Sequence, residues 1–227
     1  MKLVWSPDTA SKAYVETIKS GRGLTKSSSV AEMLSAMAGG WNAKLIVEAW
    51  YNGGEIATSV GLAVSATHSG GRHVCIVPDK RTSLTYINSM QNLDVQIPEI
   101  IIGEVEDVIG QLNGIDFLVV DSRRKDFLKV LRLAKLSHLG AVLVLKNACN
   151  KGNDVSRFRW SEVVGKSRRV VRSVILPVGN GLEIAYVGSI WGGNRNNNNA
   201  EGSRKITSRR WIRRFDLQSG EEHVFRG

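Results

Sequence analysis

Cysteine is scarce: the 227 residues hold two, Cys75 and Cys149. They stand far apart in apolar, strand-like contexts. That counts against a disulfide framework and gives two buried free thiols in a reducing compartment. No apolar run approaches the roughly 18 residues that a helical membrane crossing needs, so no span is expected. The opening MKLVWSPDTA lacks the long apolar stretch of a secretory signal. An intracellular protein, cytoplasmic or nuclear, is expected.

Several motifs are missing as well. The four histidines, His68, His73, His138 and His223, show no metal-ligand spacing, and there is no CxxC or HExxH. GxSxG, GxGxxG and the Walker A pattern are also absent, which counts against hydrolases, dehydrogenases and P-loop enzymes. Nor is the net charge of +10 spread evenly. Residues 1–150 carry 16 Lys/Arg against 14 Asp/Glu, residues 151–189 carry 7 against 3, and residues 190–227 carry 8 against 4. The basicity belongs to the C-terminal third, so a nucleic-acid-binding core is disfavoured and a basic tail on a near-neutral domain is favoured.

A hydrophobic share of 42% with 23% charged residues is ordinary for a globular protein with a sizeable core. Ser6-Pro7-Asp8 reads as a helix start, followed by Ala10, Ala13, Tyr14 and Ile18 at helical spacing. A second helix is expected from about Ser29, with Val30, Met33, Leu34 and Met37 on one face and Gly39-Gly40 as its stop. From Lys44 onward strands at 44–49, 73–77, 98–102, 116–120 and 141–146 alternate with helices at about 55–69, 81–91, 104–112 and 123–136. Runs such as HVCIV, DFLVV and AVLVL are apolar throughout, as strands covered on both faces are. The alternation predicts a mostly parallel doubly wound sheet. RVVRSVILPVGNGLEIAYVG (169–188) adds an antiparallel C-terminal hairpin about the GNG turn at 179–181. The expected division is an α/β domain over 1–189, with a helical lead-in at 6–40, and a basic, largely disordered tail over 190–227. Its glycine- and asparagine-rich part, 190–208, carries no folding signal.

In an open parallel sheet, ligands bind beyond the carboxyl ends of the strands. Those ends are Glu48–Gly54, Val77-Pro78-Asp79, Gly103-Glu104-Val105 and Asp121-Ser122. Glu48 either belongs to such a site or accepts hydrogen bonds from loop amides. The Arg123-Arg124-Lys125 run is a solvated helix start or a grip on a substrate carboxylate or phosphate.

The runs AEMLSAMAGGWNAKLIVEAW, GEVEDVIGQL, DFLVVDSRRKDF, GAVLVLKNA and LPVGNGLEIA stand in the order found in class I S-adenosylmethionine-dependent O-methyltransferases. The chain resembles the metal-dependent catechol and caffeoyl-coenzyme-A type, and more closely a plant family of uncharacterised methyltransferase-like proteins. The resemblance implies a Rossmann-like class I methyltransferase fold and S-adenosylmethionine as cofactor. It implies a cofactor site of Glu48, Trp50, Asn52, Gly53, Gly54, Val77, Asp79, Gly103, Glu104, Val105, Asp121 and Ser122.

Four positions depart from that family. Its first loop glycine matches Trp50, whose indole must swing aside or fill the site. Its ribose-binding acid matches Val77, with Asp79 two residues on as a substitute. Its metal ligands match Asp121, Lys146 and Asn147, and its catalytic lysine matches Arg124. An ammonium in a metal's ligand set repels the ion by about 4 kcal/mol per unit charge at roughly 4 Å and an effective dielectric near 20. A guanidinium does not deprotonate. Lys146 is expected instead to form a salt bridge with Asp121. The chain thus reads as a methyltransferase-like protein without a metal, its acceptor and catalytic residue unnamed. The alternative is a catalytically inactive binding or scaffold module. The partners expected are a small-molecule ligand, an anionic partner of the tail (RNA, lipid or an acidic protein), and a second copy of the chain in a homodimer.

Overall fold

A computed structural model describes residues 5–21, 28–50, 53–93, 95–149, 159–165 and 168–189, together with two strands beyond residue 210. Helix α1 (Pro7–Ser20) starts as the sequence predicts. The Ser6 hydroxyl accepts from the Thr9 amide, Pro7 stands in the first turn and Asp8 faces its positive end. Its inner face differs from the periodicity. Ala10, Ala13 and Thr17 are buried, whereas Tyr14 and Ile18 lie at the surface. Small residues are needed there because α1 lies close against α2 (Ser28–Trp41), with the Thr17 hydroxyl donating to Ser35 Oγ at 2.8 Å. The same closeness explains why Gly39-Gly40 does not end α2. A Cβ on Gly40 would fall 2.3 Å from the Trp5 indole, so these glycines make room for a neighbour. The helix stops after Trp41, and Asn42 follows at φ 54°.

The central sheet uses β1 (Leu45–Ala49), β2 (Arg72–Val77), β3 (Glu99–Ile102), β5 (Phe117–Asp121), β7 (Ala141–Lys146), β8 (Val170–Leu176) and β9 (Leu182–Val187). Their order is β3-β2-β1-β5-β7-β9-β8. The first five are parallel, and β9 and β8 return antiparallel as the predicted hairpin. Between them run α3 (Ile56–Ser69), α4 (Lys80–Gln91), α5 (Val105–Ile109), α6 (Phe127–Leu133) and α7 (Trp160–Val163).

Alternate side chains of β1 explain the two layers. Leu45, Val47 and Ala49 pack with α5, α6 and α7, whereas Ile46 packs with α2 and α3. A third apolar cluster joins α3 and α4 to β2.

Two expected helices are shorter than their periodicity. The stretch 104–112 ends at Ile109, and Asn113–Ile115 instead forms β4, paired in parallel with β6 (Lys135–Leu136). Helix α6 starts only at Phe127, because Asp121 folds back to accept the Arg123 amide and delays the helix. Residues 192–227 form a separate compact unit. In it β10 (Trp211–Phe215) pairs antiparallel with β11 (Glu222–Arg226), where the sequence offered no strand signal. The stretch 190–208 lies outside the described residues.

Candidate functional site

Strand order reverses between β1 and β5, and the crevice beyond their carboxyl ends is the natural ligand position of such a sheet. Trp50, Gly53 and Gly54 follow β1, and Asp121-Ser122 closes β5. Lys146-Asn147 closes β7, beside Asp121 in register. Gly53 holds φ +86° ahead of α3, a conformation that explains the glycine. Asn52 lies outside the described residues.

Glu48 is buried on the α3 face of β1. Its Oε2 accepts from the Ser59 hydroxyl at 2.6 Å and stands 3.7 Å from His73 Nε2. Burial raises the carboxyl's pKa, but His73, the Lys146 charge and Ser59 together pull it below its ordinary value. Glu48 Oε1, both His73 ring nitrogens and the Tyr86 hydroxyl are buried with no partner in good hydrogen-bond geometry, although His73 faces Glu48 and the Tyr86 hydroxyl faces Ser59 and Cys75. Neither of the two sequence readings of Glu48 named Ser59 or His73. The signal was available, since His73 and Cys75 alternate on a strand next to Glu48.

Trp50 is 5% exposed. Its main chain extends the sheet, donating to the Ile76 carbonyl at 3.0 Å. Its ring packs with Val60, Ala63, Cys75, Val77, Tyr86 and Met90. Ala63 is in the middle of α3 and Met90 near the end of α4, so the indole lies in the layer between helices and sheet. It has swung aside into the core.

At the end of β5, Asp121 is fully engaged. Oδ1 accepts from the Arg123 amide (2.9 Å) and Nε (3.0 Å), and Oδ2 from Arg123 Nη2 (2.8 Å) and Asn147 Nδ2 (2.8 Å). Burial raises the Asp121 pKa, and the Arg123 bonds and the Lys146 charge more than offset it. The expected Lys146–Asp121 salt bridge does not form. Arg123 takes the carboxylate, and the Lys146 ammonium turns to the Thr58 hydroxyl in the first turn of α3, at 3.0 Å. Ser122 Oγ donates to the Asn147 carbonyl at 2.7 Å, and Asn147 Oδ1 accepts from Asn180 of the hairpin turn at 3.1 Å. Arg124 forks onto Asp126 and reaches the Trp50 carbonyl from Nη1 at 3.4 Å, across the crevice from β5 to β1.

Asp121 and Asn147 meet, but the donor set does not suit a divalent cation. The carboxylate is spent on a guanidinium, the amide presents its N–H₂, and the third position is a cation. Among the described residues no three His, Cys, Asp or Glu side chains are placed to hold a metal.

The remaining candidates lie along β2 and β3. Val77 is fully buried, and its carbonyl accepts from the Gly103 amide at 2.9 Å. Asp79 is the N-cap of α4, with one oxygen on the Thr82 amide (2.7 Å) and the other on its hydroxyl (3.0 Å). These bonds lower its pKa, yet it is exposed and each oxygen keeps a lone pair for a ligand hydroxyl. Glu104 is the exposed N-cap of α5, and Val105 is core.

Three solved structures of similar fold are described as methyltransferases. One from Geobacter sulfurreducens is 19% identical with a TM-score of 0.54, covering 78% of this chain and 88% of that one. PaMTH1 of Podospora anserina, solved with S-adenosylhomocysteine bound, is 13% identical with a TM-score of 0.56, covering 80% and 88%. A Staphylococcus aureus protein provisionally assigned as a caffeoyl-CoA O-methyltransferase is 14% identical with a TM-score of 0.51, covering 77% and 99%. At such identities the likeness speaks for the fold: a Rossmann-like methyltransferase fold with antiparallel C-terminal strands. Among curated proteins none matches the chain. One family profile spans residues 1–227 in full, and the chain belongs to that family, described as "Protein of unknown function (DUF1442)".

Proposed function

We propose that this protein binds S-adenosylmethionine, or its product S-adenosylhomocysteine, at the carboxyl edge of β1, β2 and β5. The observation that carries the reading is the position of Trp50. Its ring is buried in the apolar cluster of α3, α4 and β2, among Val60, Cys75, Val77 and Tyr86, rather than exposed at the carboxyl edge. Glu48, Gly53, Gly54, Asp79, Gly103 and Ser122 would hold the cofactor, which supplies a methyl group on a sulfonium. The chain's own part is to position an acceptor in line with that methyl. It would do so without a divalent ion, a reading supported by Arg123 on the Asp121 carboxylate and by an ammonium, Lys146, beside it in register. Two titrations test the reading, one with S-adenosylmethionine and one with S-adenosylhomocysteine, each followed by calorimetry. One-site binding of both is expected, and absence of heat with the native chain would sink it.

The basic tail supports a second, separate role. Six Lys/Arg and no acid stand in residues 204–214, and part of that run forms β10 in a compact unit of its own. An anionic partner suits such a segment, with RNA as the first polymer to try.

A further inference from the structure

Lys146 is 6% exposed and ends β7 at the carboxyl edge. Among the described residues its ammonium makes one hydrogen bond, to Thr58 Oγ1, and no ion pair. Asp121, its neighbour in register, is hydrogen-bonded by Arg123 and Asn147, and Glu48 Oε2 by Ser59, so the Lys146 charge acts on both carboxylates without a direct bond to either. A buried ammonium with two of three donors unfilled is costly unless something pairs with it. The place to which it turns is itself suited to an anion. Thr58 stands in the first turn of the fourteen-residue α3, and Glu55 at that N-cap makes no side-chain capping bond. The first-turn amides and the helix dipole favour negative charge there.

We infer that Lys146, standing where related enzymes would have a metal ligand, holds a carboxylate of the ligand against the first turn of α3. The inference rests on the cofactor reading above and deepens it by naming the group recognised. A carboxylate takes two of the idle N–H donors and presents its second oxygen to the helix amides. The fixed cation thereby replaces the charge of the missing ion. The carboxylate has two possible sources, the amino-acid end of the cofactor or an acidic acceptor beside it.

The test compares native protein with Lys146→Met and Lys146→Arg, using S-adenosylhomocysteine, 5′-methylthioadenosine and benzoate as probes. Thermal melts confirm folding, and exchanging a buried ammonium for an apolar chain is commonly neutral or stabilising. If the cofactor supplies the carboxylate, Lys146→Met weakens S-adenosylhomocysteine about ten- to hundred-fold and leaves 5′-methylthioadenosine unchanged. If the acceptor supplies it, both nucleosides bind as before and benzoate loses that factor. In either case Lys146→Arg retains most of the affinity. Unchanged affinity for all three probes overturns the inference, and so does an equal loss for both nucleosides. Native protein that binds neither nucleoside overturns the cofactor reading instead, and the benzoate comparison then still decides Lys146.

Discussion

The indole of Trp50 meets the ring of Tyr86 edge-on, with centroids 5.2 Å apart and planes at 73°. The pair sits between α3, α4 and β2, and both residues are core. Trp50→Ala should therefore cost about 3–5 kcal/mol in denaturant unfolding, as expected for truncating a buried aromatic. Tyr86→Phe should behave differently. It keeps the ring and deletes a buried hydroxyl that faces Ser59 and Cys75 but meets neither in good hydrogen-bond geometry, so stability should stay within about 1 kcal/mol or rise. A large loss from Tyr86→Phe would show that the hydroxyl has a partner.

Arg123 donates to both oxygens of Asp121, which argues against a divalent ion there. Adding Mg²⁺ or Ca²⁺, or removing ions with EDTA, should leave the melting temperature and the affinity for S-adenosylhomocysteine unchanged. A rise in melting temperature that saturates with Mg²⁺ concentration would point to a retained ion site.

The pKa shifts of Glu48 and Asp121 have a sign that can be measured. Both lie below the ordinary values of 4.5 and 3.8. Each carboxylate therefore contributes stability that is present above its ordinary value and is lost as the pH falls through the folded value. Asp116 acts the other way, since burial raises its pKa despite the amides of Lys44 and Leu45. Unfolding measured from pH 6 to pH 3 should show a fall in stability that is shallower in Glu48→Gln. An unchanged slope would mean that Glu48 is not stabilised as its carboxylate.

Both cysteines are free, but only Cys75 is buried. The sequence placed Cys149 in the same apolar class, because it follows AVLVLK closely. The strand ends at Lys146, however, and Asn147 turns the chain at φ 59°, which leaves Cys149 exposed. Burial, with the Glu48 charge nearby, pushes the Cys75 thiol well above 9.0. At pH 8, iodoacetamide should modify one thiol quickly and the second only on unfolding, and Cys149→Ser should abolish the fast phase. A fast phase that survives this change would assign the reactivity to Cys75.

The sheet was legible because its strands read as continuous apolar runs of about the right length, each followed by a helical period. What the sequence did not carry was direction within the site. Asp121 and Lys146 are neighbours in register, and opposite charges at such positions suggest a pair. Arg123 lies two residues from Asp121 and can reach both of its oxygens with a fork, whereas the Lys146 ammonium finds a hydroxyl across the layer in α3. Pairings made 88 positions apart, such as Lys146 with Thr58, leave no periodic trace. Trp50 shows the same limit. As a letter in place of a glycine it left open whether the indole swings aside or fills the site, and only the core between α3 and α4 shows where a ring of that size fits.

The excess of basic charge lies in the C-terminal third, and its salt dependence makes its role testable. A cationic segment that neutralises phosphates on single-stranded RNA releases counterions, so log K falls linearly with log salt by about 0.7 per contact. With six Lys/Arg in residues 204–214, the slope for full-length protein should fall between about −2 and −4 if half or more of them make contact. Because residues 192–227 form their own compact unit, removing them should abolish binding while the melting temperature of the remainder stays put. Anionic vesicles serve as the contrast. Binding to vesicles but not to RNA at equal salt would assign the segment to a lipid surface, and RNA binding that survives the truncation would move the interface to the α/β domain.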